Sequence, residues 1–176
     1  MKIINNFIII LSLFVSLLAN NIFLILLLIP LLFISLVIRK YNRNLEFIYL
    51  IFLFISYILG FVFDFYDKIY YFDAIVHSLF GIVSSIFALP LLEILRKYNV
   101  NDILFNSIFI LIFTLGVAGL WEIFEFTIDS FFHSNMQISL NNTMKDIISA
   151  LLFSILYSIL YLENSSKIDK LFIKRN

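Results

Sequence analysis

Two glutamates, Glu122 and Glu125, stand in the run GLWEIFEF, where nearly every neighbour is apolar. A charged carboxylate near the centre of a bilayer costs about 2.5–3.5 kcal/mol by insertion scales, and less toward the interface. Such residues therefore point to compensation by a cation, a proton or a hydrogen-bonding partner. Asp129 follows them, giving the spacing i, i+3, i+7, and on a helix these three share a stripe about 60° wide. Asp73 and His77 are spaced i, i+4 and stack on one helix face, with Gly81 one turn further along it. Asp146 opens a third apolar segment, where Asn142 or Thr143 is expected to cap the helix. Carboxylates and an imidazole converging between helices are the ligands a hard or borderline divalent cation takes. The candidate ligand set is Asp73, His77, Glu122, Glu125 and Asp146, with Asp129, Asn142 and Gln137 as further members of the polar cluster. Di-metal helical bundles use Glu and Glu-x-x-His from facing helices. The ingredients here are similar and the spacing differs.

The elements that must carry these residues are membrane spans. The chain of 176 residues is 62% hydrophobic with 22 Phe, and its mean hydropathy is +1.05. Soluble domains are about 45–50% apolar. Six apolar segments, each close to the roughly 20 residues needed to span a bilayer, run over 3–19, 22–38, 45–63, 74–95, 103–128 and 143–162. The fold class is all-α: a polytopic membrane bundle of six transmembrane helices in one domain, 1–162, followed by a basic cytoplasmic tail, 163–176. The first segment resembles a signal peptide, but Leu17 fits a small-residue cleavage site poorly, and it is read as a span. Pro30 and Pro90 lie inside the second and fourth segments. Gly116 and Gly119 are expected to let another helix approach closely.

Charge fixes the expected orientation. With the N-terminus in the cytoplasm, Lys2, Arg39, Lys40, Arg43, Arg96, Lys97, Lys167, Lys170, Lys174 and Arg175 lie inside, ten of the twelve basic residues. Only Lys68 and Lys145 are left outside. The acids divide the other way. Asp64, Asp67, Asp73, Glu122, Glu125, Asp129 and Asp146 fall at or near the outer face, with both histidines, His77 and His133. Both termini are therefore placed in the cytoplasm, and the polar cluster in the outer leaflet of a bacterial cytoplasmic membrane.

The motifs Asp73-x-x-x-His77-x-x-x-Gly81, Trp121-Glu122-Ile123-Phe124-Glu125-Phe126, and Asn135-Met136-Gln137 leading to Thr143-Met144-Lys145-Asp146 together resemble the YjdF-like family of small multi-pass bacterial membrane proteins, which is distantly similar to VanZ-like proteins. The resemblance covers about 73–160. It implies a membrane location and a shared polar cluster, and no reaction. Where relatives tend to carry Asp just before the Thr-Met pair, this chain has Asn142, and Ser139 and Asn141 stand where some relatives have Asp and Trp. One carboxylate fewer weakens a metal site.

Several function classes lose support. Equal numbers of acidic and basic residues, twelve of each, give nucleic-acid binding no electrostatic basis, and the absence of Cys removes disulfides, thiolate ligands and cysteine nucleophiles. There is no Gly-rich phosphate loop, no H-E-x-x-H and no G-x-S-x-G. Three readings stay open: a metal-dependent enzyme acting on a lipid or envelope precursor, a non-enzymatic assembly or stress factor, and a proton- or ion-translocating protein. The last ranks lowest, because Glu93 is the only helical acid near the inner end and the stretch between reads as apolar. Plainer roles stand beside the sharp ones. Glu122 and Glu125 also fit neutral carboxyls bonding between helices, Asp73 and His77 an interfacial pair, and Asp146 a helix N-terminal charge. His133, Asp64 and Asp67 read as solvated loop residues, and DFYDKIYYFD as an interfacial aromatic belt.

Overall fold

The computed structural model describes residues 2–19, 22–132 and 136–173. His133 and Asn135 lie outside them. Every one of the six apolar segments is helical. In chain order the elements are α1 (Lys2–Leu18), α2 (Ile22–Tyr41), α3 (Arg43–Leu53), a π-helical continuation Phe54–Val62, the short α4 (Phe65–Lys68), α5 (Phe72–Ile94), α6 (Ile103–Phe132) and α7 (Leu140–Phe172). Among the described residues there is no strand. Among the described residues, four helices are long and apolar enough to cross a membrane: Arg43–Val62, Phe72–Ile94, Ile103–Phe131 and Leu140–Phe172. Lys2–Leu18 is apolar but shorter.

The chain divides into two compact units, one up to Val76 and the other His77–Ile173. The division falls inside the first turn of α5, which is unbroken from Phe72 to Ile94.

In the first unit, Leu28, Leu32, Leu50, Leu53, Tyr57 and Ile58 form the apolar core. Glu46 is fully buried one turn into α3, and its charge is compensated from two helices. Arg39 Nε donates to Oε1 at 2.6 Å and Asn5 Nδ2 to Oε2 at 2.7 Å. Asn42 caps α3, its side chain accepting from the Asn44 N–H at 2.8 Å. This cap lets the chain reverse after α2 without leaving helix donors unsatisfied.

In the second unit the apolar and polar faces are inverted relative to a soluble bundle. On α6 the buried positions include Asn106, Ser107, Ile110, Thr114, Ala118 and Glu122, and on α7 they are Thr143, Asp146, Ala150, Ser154, Ser158, Tyr161 and Asp169. Leu120, Ile123, Phe126, Leu152, Leu156 and Leu160 are exposed. Lipid tails are as apolar as leucine, so no hydrophobic force drives apolar side chains between the helices, and small or hydrogen-bonding residues line the contacts instead. α5 and α7 approach closely at Gly81. A Cβ there would overlap the backbone carbonyl of Ala150. Gly116 and Gly119, expected to serve this purpose, face open space, with nothing within 4 Å of a Cβ built on either.

The expected tail is also helical. Asn164 leaves helical geometry (φ −130°, ψ 26°), and α7 resumes beyond it to Phe172. A helix of 33 residues is about 50 Å long, well beyond a hydrocarbon core of about 30 Å. The break at Asn164 redirects the excess, and Ile168 and Ile173 pack with Leu89, Leu92, Ile110 and Tyr161.

Candidate metal centre

α5 and α7 supply the cluster. Asp73 and His77 face the same way because they are one turn apart on α5. α7 starts earlier than the sequence suggests: its cap is Ser139, whose hydroxyl accepts from the Asn142 N–H at 3.2 Å. Asp146 thus lies in the second turn, beyond the reach of the unsatisfied first-turn amides, so a role as a helix N-terminal charge loses its basis.

Asp73, His77 and Asp146 each present one ligand atom, and all three atoms lie within 4.8 Å of one another. His77 and Asp146 are buried and Asp73 is partly so. Asn142 Nδ2 donates to Asp146 Oδ2 at 2.6 Å. This bond holds one oxygen of the carboxylate. The Asn142 side chain therefore acts on the Asp146 carboxylate rather than replacing a carboxylate in the cluster. Gln137 Nε2 donates to Thr143 Oγ1 at 3.0 Å, fixing the approach to the same helix start. Two acids and an imidazole suit a borderline divalent ion.

The other expected members sit on α6. Glu122 is buried, at 4% exposure. Glu125 accepts from the indole N–H of Trp121 at 2.7 Å, so Trp121 serves the acid one turn on. Asp129 closes a loop: its two oxygens accept from the backbone N–H groups of Met136 (2.9 Å) and Gln137 (2.8 Å). Glu122, Glu125 and Asp129 are not in the three-residue group.

Sequence reading passed over the hydroxyls. Ser85 Oγ donates to the Gly81 carbonyl at 2.6 Å and lies 2.8 Å from Ser154 Oγ and 3.2 Å from Thr114 Oγ1, while Ser84 Oγ is also 3.2 Å from Thr114. Lower on α7, Ser158 donates to the Ser107 carbonyl at 3.1 Å. The stretch between the acidic end of the helices and their opposite end is therefore not uniformly apolar where helices meet. A four-residue period of small or polar residues on α7, Asp146, Ala150, Ser154 and Ser158, carried this signal.

A helical bundle with its apolar residues outward and polar groups between helices defines an integral membrane protein of several spans. The chain belongs to a family of predicted membrane proteins (DUF2238), whose model matches residues 3–165. No curated protein and no solved structure matches it.

Proposed function

We propose that the protein binds a divalent cation through Asp73, His77 and Asp146, at the outer face of a bacterial cytoplasmic membrane, and that the bound ion serves chemistry on a lipid or envelope precursor. Six spans with both termini in the cytoplasm place the cluster there, because ten basic residues then lie inside. The observation that carries the reading is the convergence of three ligand atoms within 4.8 Å at largely buried positions. Glu122 and Glu125, on α6, remain candidates for further ligands. Such an ion polarises a phosphoryl or carbonyl oxygen or lowers the pKa of bound water, which answers the shortage of outer-face Arg and Lys.

Elemental analysis of detergent-purified protein tests this. The wild type is expected to retain close to one equivalent of a divalent metal after mild dialysis, with loss in His77→Gln and Asp146→Asn. Glu122→Gln tells whether α6 supplies a ligand. Metal-free wild type overturns the reading.

The buried hydroxyls of Ser84, Ser85, Thr114 and Ser154 favour a second reading, proton movement through the second unit. Gly81 packed on Ala150 separates them from Asp146. Proteoliposomes carrying a pH-sensitive dye distinguish the two: dissipation of an imposed pH gradient that Ser85→Val abolishes supports proton movement.

A further inference from the structure

A second polar group is buried near the far end of α7, and nothing above uses it. Asp169 is 1% exposed, and neither of its carboxylate oxygens receives a hydrogen bond of normal geometry. Asn106, on α6, is fully buried. Its Nδ2 donates to the Asn99 carbonyl at 2.9 Å and to the Tyr161 hydroxyl at 3.2 Å. A carbonyl can only accept, so the amide orientation is fixed, and Asn106 Oδ1 is left with no hydrogen-bond partner. The buried Tyr98 hydroxyl has no partner of normal geometry either, but it and the Tyr161 hydroxyl both stand within side-chain hydrogen-bonding reach of Asp169. Burial first, then these neighbours, push the Tyr98 phenol well above its ordinary value, so it is neutral and offers an oxygen. Tyr157, the other titratable group near Asp169, is also a phenol. Among the described residues no Lys or Arg pairs with Asp169.

We propose that Asp169, Asn106, Tyr98 and Tyr161 form a binding site for one monovalent inorganic cation, Na⁺ or K⁺. The argument is one of charge and donor type. A buried carboxylate without a counter-charge is strongly unfavourable. The groups around it are hard oxygens, suited to hard cations rather than to soft metals. A single negative charge is balanced by one positive charge, whereas a divalent ion would leave the site charged in a medium of low dielectric. The site joins the loop after α5, the start of α6 and the segment of α7 beyond Asn164. The ion therefore holds the end of α7 against the bundle, and it does so independently of the Asp73 cluster.

The test is thermal unfolding of the full chain in detergent, in NaCl, KCl and choline chloride at equal ionic strength. The expected result is a saturable rise in Tm of several degrees with one alkali ion over choline. Asp169→Asn removes the dependence. Tyr98→Phe, which takes one ligand oxygen and leaves the charge, raises the ion concentration needed for half the effect by about tenfold or less. Equal Tm in all three salts overturns the proposal. Two findings would then say what compensates Asp169: a Tm that rises on acidification only while Asp169 is present identifies a proton, and salt dependence appearing only in Lys174→Ala identifies that lysine. Because the decisive comparison is made on wild-type protein, a variant that fails to fold does not block it.

Discussion

Gly81 on α5 lies directly against the Ala150 carbonyl on α7, with no room for a methyl group between them. His77 is one turn before Gly81 and Asp146 one turn before Ala150, so this contact sets the separation of two candidate ligands. Gly81→Ala forces α5 and α7 apart, and overpacking of this kind costs about 1–3 kcal/mol. The expected outcome is a lower Tm in detergent together with loss of bound metal. Ala150→Gly does not rescue it, because the obstacle is backbone.

The Trp121–Glu125 hydrogen bond yields a separate prediction. Trp121→Phe leaves a partly buried acid without its indole donor, at a cost of about 1–3 kcal/mol. Metal content is expected to stay at the wild-type level, since neither residue belongs to the three-ligand group. Trp121 is the only tryptophan, so Glu125→Gln is also expected to shift the intrinsic emission maximum. Loss of metal in Trp121→Phe would show that α6 positions the site more directly than its geometry indicates.

Helix placement was legible because apolar runs of spanning length have few alternatives, and the i, i+4 spacing of Asp73 and His77 fixes their shared face without any knowledge of packing. Contact between helices was less legible. Gly81, Gly116 and Gly119 look alike in sequence, and only Gly81 meets a neighbour. The cap of α7 moved to Ser139 because the Ser139 hydroxyl reaches the Asn142 N–H, a choice among several polar residues that local propensity does not settle. Glu122 and Glu125 share a stripe with Asp129, yet one is buried, one is held by an indole and one closes a loop. Proximity on a helix surface says what residues can share, and side-chain partners decide what they do. Asp169 was read as a tail residue because the sequence beyond 162 is polar. The break at Asn164, which returns that segment to the bundle, has no signature beyond a single Asn.

In the first unit, Arg39 and Asn5 both donate to Glu46, which is fully buried. Removing one partner of a buried ion pair typically costs 3–5 kcal/mol, about what Arg39→Ala is expected to lose, because the remaining charge is uncompensated. Replacing both with apolar residues of similar volume, Arg39→Met with Glu46→Leu, is expected to recover most of that loss. A Tm series over the wild type, the two single variants and the double variant checks it. A double variant as unstable as Arg39→Ala would show that Asn5, stripped of its acceptor, contributes as much as the charge.

Removing the ion should itself be visible as a change in stability. A ligand that binds only the folded protein stabilises it by RT ln(1 + [L]/Kd), about 2.7 kcal/mol at a hundredfold excess over Kd. Dialysis against a chelator is therefore expected to lower Tm, and adding back the metal found by elemental analysis to restore it. In Asp146→Asn the chelator should have no effect, because the ligand it would expose is already gone. The pairing of Asn142 with Asp146 sharpens the comparison. Asn142→Ala keeps all three ligands but frees the carboxylate it holds, and loss of such an outer partner typically weakens metal affinity 10–100-fold. Asn142→Ala should thus respond to chelator at lower concentrations than the wild type and recover at higher added metal. Asn142→Asp, which puts a carboxylate in place of the amide, places a negative charge beside Asp146. If it coordinates, affinity rises above the wild type. If it only repels Asp146, affinity falls with that of Asn142→Ala, and the direction of that change decides whether the position serves as a ligand or as a positioning residue.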